Sequence, residues 1–178
     1  MDIEQLKFPI GKYAPNKNPN STDIEQWIRE IESFPFTLEQ LLEKVSIEQL
    51  NWKYRPDGWT VKQVVHHCAD SHMNSIIRFK LALTEHKPTI RPYLEDKWAT
   101  LPDSLQDDLS AALLLLKGLH QKWSVLLKSL TPVQLQLEFI HPESGETINL
   151  AENIGIYAWH SNHHLAHIRN GIESMGVF

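Results

Sequence analysis

The chain has 178 residues, 42% of them apolar, and a net charge of −5 with acids and bases scattered along it. That suits one domain with a real core, and it excludes the basic block that nucleic acid or an anionic membrane would call for. A single cysteine, Cys68, excludes an internal disulfide and a CxxC motif. No apolar run approaches the ~18 residues of a membrane span, and the first residues lack a secretory pattern, so the expectation is a soluble, cytoplasmic protein.

Residues 1 to about 20 contain Pro9, Gly11, Pro15 and Pro19 and read as an extended arm, ordered only if it packs on something. Residues 21–178 read as a single helical-bundle metal-binding domain. Thr22 with Glu25 makes a capping box, and the helix it opens runs to about Lys44 with a kink or break at Pro35. Ser46 and Gln49 suit a short helical turn, and Tyr54 to Gly58 is turn chemistry. Thr60 and Gln63 cap the next helix, which lasts to about Thr84. Residues 86–103 carry three prolines and Trp98 and form a long packed connection. A third helix spans about Ser104 to Leu130, with Leu109, Leu113, Leu116, Leu119 and Trp123 among its apolar steps of three and four. Thr131-Pro132 starts a brief turn. Residues 137–148 alternate around a turn, as a small hairpin or an irregular loop. Asn149 with Glu152 opens the last helix, which ends near Gly171. The fold class is all-α: a four-helix bundle with long connections and a small hairpin before the last helix.

Four histidines, His160, His163, His164 and His167, stand within eight residues of that last helix. His160 and His164 are one turn apart and border the core-facing stripe, separated by about 40° around the axis. On the second long helix His67 lies in a narrow polar stripe with Ser71 and Asn74, while His66 points off to the side. A lone histidine on an apolar face is usually a hydrogen-bonded core residue. A helical pair facing a remote histidine is a different object, because three nitrogens can close on one ion and leave a position open for chemistry. The candidate metal ligands are therefore His67, His160 and His164. Imidazole suits zinc, nickel, copper or iron(II), and the expected cofactor is one divalent ion per chain, zinc or nickel.

Asp70 is a candidate to accept the outer N–H of a ligand histidine, with a solvated helix acid as the alternative. No acid sits beside His160, so this is not the HExxH protease pattern, and the general base is not evident. Glu152 is a weak candidate. His163 points away from the stripe, and its replacement by alanine is expected to be nearly silent. His167 reads as substrate-facing or structural, Cys68 as a small core residue, and Trp59, Trp98 and Trp159 as packing. His141 lies in the loop and carries no assignment.

The run from Gly58-Trp59-Thr60 through His66-His67 to Asp70 and His72 resembles the first signature of the DinB/YfiT-like superfamily. The run Tyr157-Ala158-Trp159-His160, continuing through His163-His164 to His167-Ile168, resembles its second. Arg91-Pro92-Tyr93, Trp98-Ala99 and the loop from His141 to Gly145 resemble the YfiT branch. The resemblance covers nearly the whole chain from about residue 20. It implies a four-helix bundle, a divalent metal on His67, His160 and His164, and a homodimer. It also implies a metal-dependent hydrolase acting on a small molecule with water as the nucleophile. Related branches use a low-molecular-weight thiol such as bacillithiol, so a metal-dependent S-transferase is the alternative. A non-catalytic metal-binding stress protein is the rival from another class.

Overall fold

The computed structural model describes residues 2–177. Four long helices make the bundle: α2 (Ser21–Leu42), α4 (Val61–Thr84), α6 (Ser110–Lys128) and α8 (Leu150–Glu173). The short elements are α1 (Ile3–Lys7), α3 (Ile47–Leu50), α5 (Glu95–Trp98), α7 (Pro132–Leu135) and a hairpin of β1 (Glu138–Ile140) with β2 (Thr147–Asn149). In the hairpin Phe139 faces Ile148 across the antiparallel pair.

The helices do not follow one another around the square. α2 packs on α6 and α8, and α4 packs on the same two. Consecutive long helices α2 and α4 are therefore diagonal, as are α6 and α8, and the long connections cross the bundle ends. This places α4 beside α8, the two helices that carry the candidate ligands.

Local chemistry explains most boundaries. Reciprocal capping boxes hold the starts of α3 (Ser46 with Gln49), α4 (Thr60 with Gln63) and α7 (Thr131 with Gln134), and the Asn149 side chain accepts from Glu152 N–H at α8. Three expectations need correction. α2 is capped by Asn20 with Asp23, two residues earlier than Thr22 with Glu25. α2 also continues unbroken through Pro35, which is buried inside it. The third long helix begins at Ser110, not Ser104, because the Asp108 carboxylate accepts from Ser110 N–H and residues 99–106 close a series of turns instead.

The core has two apolar clusters. One gathers Phe34, Leu38, Val64, Val65, Cys68, Leu116, Leu165 and Ile168. The other gathers Ile31, Phe79, Trp123, Leu127, Phe139, Leu150 and Ile154. Between them, along α4 and α8, lies a buried polar layer: His67, Ser71, His72 and Ser75 from one helix, Ser161, His163 and His164 from the other. Burying polar groups without partners costs a few kcal/mol each, and every side chain in this layer has a hydrogen-bond partner except at His163 Nδ1.

The arm does pack. Lys17 pairs with the buried Glu152 at 2.6 Å, Trp159 Nε1–H donates to the Gly11 carbonyl, and Leu6 is fully buried. It is not extended throughout, since α1 forms a short helix capped by Asp2.

Candidate metal centre

His67, His160 and His164 come together as the sequence spacing predicts. One nitrogen from each lies within 4.8 Å of the others, and among the described residues this is the group that could hold an ion. His67 Nε2 and His160 Nε2 are 3.3 Å apart. Two nitrogens bound to one tetrahedral zinc at about 2.1 Å stand roughly 3.4 Å apart, so the spacing already fits.

Whether the lone pairs point inward depends on tautomers, and the hydrogen-bond network assigns those of His160 and His164. His120 Nδ1 is 2.6 Å from the Ile31 carbonyl. A carbonyl can only accept, so His120 carries its proton on Nδ1 and leaves Nε2 bare. His72 Nδ1 is 2.8 Å from that Nε2 and must donate to it. His72 Nε2 is then bare, and His160 Nδ1, 3.1 Å away, must donate in turn. The relay ends with a bare Nε2 on His160, the atom that faces His67.

A second relay does the same for His164. His167 Nε2 is 3.1 Å from the Lys7 carbonyl and donates to it. His167 Nδ1 is therefore an acceptor, and His164 Nδ1, 3.3 Å away, donates to it. His164 Nε2 is left bare. His67 Nδ1 faces the Tyr93 hydroxyl at 3.5 Å. His160 and His164 thus have the outer nitrogen held as a donor and the inner one free, as oriented metal ligands require, while the Tyr93 hydroxyl, which can donate or accept, suits either tautomer of His67.

Both relays need uncharged rings, and burial provides them. Desolvation pushes His67 down to about 4, with the nearby His163 adding to the effect. It pushes His120 to about 4 and His167 to about 3. His72, His160 and His164 are held well below the usual range by burial first and by neighbouring histidines second. Three neutral nitrogen donors aimed at one point suit a divalent ion of the zinc or nickel kind.

The Ile31 carbonyl is free to seat the first relay for a reason written in the sequence. In an α-helix it would accept from the N–H of residue 35, and residue 35 is proline, which has none. Pro35 leaves α2 unbroken. It releases one carbonyl into the core.

The open face of the triad meets two clefts. One, of about 410 Å³, is lined by all three ligands with Phe8, Arg55 and Trp59. The other, of about 530 Å³, is lined by His160, Ser71, Tyr93, Tyr157, Arg78 and His141 among others. Glu95 and Asp96 of α5 line both. Desolvation, then Asp96 and Glu143, raise the Glu95 carboxyl above its usual range.

Several sequence assignments change. Asp70 makes no hydrogen bond to a ligand imidazole; Tyr93, His72 and His167 occupy the outer positions instead. Desolvation, with Asp103 next, pushes Asp70 up to about 6. His163, though it points away from the core-facing stripe, is buried: Trp159 of α8 stacks on it at 4.3 Å and Phe8 of the arm lies 6.1 Å away. His167 is structural, stacked on Tyr54 at 3.9 Å. Glu152 is consumed by Lys17. Cys68 is fully buried, its thiol pushed up by desolvation, as a core residue should be. His66 stays beside the site, near the Gln106 carbonyl. His72, His120, Tyr93 and Glu95 carried no assignment. His120 had a signal: it falls at the i+4 step between Leu116 and Trp123, on the apolar stripe where a polar ring needs a partner.

The comparisons with known proteins agree. A DinB superfamily model matches residues 30–168. A Bacillus subtilis (strain 168) protein named "Putative metal-dependent hydrolase YfiT" is 48% identical over 176 residues, 99% of each chain. A Bacillus mycoides (strain KBAB4) protein, also named as a metal-dependent hydrolase of that standing, is 52% identical over 167 residues, 93% of this chain and 95% of its own. The solved structure of YfiT from Bacillus subtilis, described as having "an unusual four-helix bundle topology", superposes with a TM-score of 0.93 at 48% identity, over 97% of this chain and 98% of that one. The chain belongs to the DinB superfamily.

Proposed function

We propose that this DinB-superfamily chain is a metal-dependent hydrolase, with zinc or nickel held by His67, His160 and His164. The observation that carries the reading is the convergence of three histidine nitrogens, two of them tautomer-fixed, where two substrate-sized clefts meet. A divalent ion on three neutral ligands keeps its full charge, and it supplies acidification of water and polarisation of an acyl oxygen. The chain's own residues then do the rest. His72 and His167 hold the ligand rings in place. Tyr157, whose hydroxyl donates to the Ser71 carbonyl, and Ser71, whose Oγ is 3.4 Å from His160 Nε2, shape the floor. Glu95, lining both clefts, is the group we assign to take the proton from the attacking water. A raised carboxyl is closer to the pKa that such work needs at neutral pH.

The first test is elemental analysis of untagged protein, purified without a nickel column, beside His160→Ala. About one ion per chain, lost in the variant, supports the reading. No bound ion after adding it back ends it.

The second reading is transfer of a low-molecular-weight thiol such as bacillithiol. It is favoured by the donor set, because a thiol meeting a divalent ion loses its proton without a base. Glu95→Gln separates the two: hydrolysis should fall by about 10²-fold, and thiol transfer should be nearly untouched. A non-catalytic metal-binding protein would saturate the ion with side chains, and the clefts at the open face argue against that. Two further parts of the proposal are a homodimer and a reducing, cytoplasmic setting. Leu114 and Val125, three turns apart on the outer face of α6 and 73% and 71% exposed, support the first. The free, buried Cys68 supports the second. Sedimentation velocity checks the dimer.

A further inference from the structure

The larger cleft contains a cation with no role in holding the metal. Arg78 lies on α4, nearly two turns beyond His72, and lines that cleft together with His160. It is half-buried, and its Nε is shut away from solvent with no hydrogen-bond partner. Among the described residues it forms no ion pair, although eight such pairs form elsewhere. A guanidinium taken partly out of water without an acid is costly, and such a group is normally paired.

His141 shows the same pattern. It follows β1, which packs on α4, and lines the same cleft. Its Nδ1 is buried and unpartnered. Arg78 is close enough for its charge to depress the basicity of both His141 and His160. One cleft therefore holds an unpaired guanidinium, an unsatisfied imidazole nitrogen and a metal ligand.

The carboxylates in that cleft limit what can enter. Glu95, Asp96 and Glu143 also line it, and both of the latter raise Glu95, so they gather on the α5 side. A polyanion would meet them. A single anionic group would not, if it sat at Arg78. The planar guanidinium matches a carboxylate in a two-bond fork, and a neutral imidazole N–H can add a third donor.

We propose that Arg78, with His141, is the anchor for one carboxylate of the substrate, which makes the substrate class small carboxylic acids whose reacting bond lies at the His160 end of the cleft. This rests on the metal reading above, and it adds the chemistry of the substrate and the direction in which it lies.

The test uses zinc-loaded full-length protein and paired hydroxamates, which anchor on zinc through one end. In each pair the other end is a carboxylate or the matching carboxamide, and the linker between them is lengthened one methylene at a time. Calorimetry should show the carboxylate binding about tenfold or more tighter than the carboxamide at one linker length. The ratio should fall to about one in Arg78→Met and recover partly in Arg78→Lys, with zinc content unchanged in both. Equal affinity of the two probes at every length overturns the proposal while leaving the metal centre standing. Failure of the carboxamide probe to bind at all speaks against the metal centre instead. A second measurement does not depend on the ion. In metal-free protein the Arg78 Nε–H resonance should shift with propionate and not with propionamide. No shift, or a stronger response to inorganic phosphate than to propionate, overturns the carboxylate assignment.

Discussion

His160 and His164 stand one turn apart on α8, yet their outer nitrogens are held by opposite kinds of structure. The His160 relay runs inward through His72 and His120 to a carbonyl of α2. Its middle members are fully packed: Phe34 lies 5.0 Å from the His72 ring and 5.5 Å from the His120 ring. The His164 relay runs outward through His167 to a carbonyl at the end of α1. The difference is one of replaceability. Water can stand in for a carbonyl at the rim and can rescue a lost partner there. It cannot reach the seat beneath His120. A histidine held from the core is rigid and intolerant, and a histidine held from the arm is adjustable.

Acid should break both halves together, and it is the largest effect expected. The relay histidines are neutral in the folded protein, with His67 and His120 at about 4 and His167 at about 3. In the unfolded chain each regains its ordinary value near 6.5, so below that pH the unfolded state takes up protons first. Stability is complete above about pH 6.5 and is lost as pH falls toward 4, each such histidine steepening the fall by about 1.4 kcal/mol per pH unit. Far-UV circular dichroism of metal-free protein should show cooperative unfolding in that window. A flat profile down to pH 4 would mean the rings are not held neutral.

The two halves should then part. His120→Phe keeps the shape but strands the buried His72 N–H. Zinc affinity should fall by about 10- to 100-fold and stability by about 1–3 kcal/mol, read by chelator competition and urea unfolding. Deleting residues 1–11 removes the Lys7 carbonyl and exposes His167. Zinc affinity should fall by about tenfold, and much of it should return in His167→Gln, whose amide oxygen can accept without a carbonyl behind it. If the deletion costs more affinity than His120→Phe, the contrast drawn between core and arm is wrong. The smallest effect on zinc affinity belongs to His163→Ala, within about threefold, with a stability loss of about 1–3 kcal/mol from the opened stack.

The histidine triad was legible because helical periodicity alone brings His160 and His164 to one face, and His67 lies in a polar stripe on a helix of the same kind. The four long helices were legible from caps and apolar steps. What the sequence hid was set by packing between helices distant in the chain. His72 and His120 meet only because α6 lies against α4. Tyr93 reaches His67 from an irregular connection with no period to read. The burial of His163 was hidden because angular position on one helix ignores what an arm from far away lays over it. The start of α6 was misplaced because its leucines continue their spacing back into turns.

Pro35 has a consequence for anyone engineering this protein. A proline inside a long helix is the first position that a stabilising redesign would replace, and alanine there would gain helix propensity and close the missing backbone bond. It would also give the Ile31 carbonyl a partner of its own, in competition with His120. The redesigned chain would resist heat better while holding its ion less well. At this position robustness and function draw on the same oxygen atom.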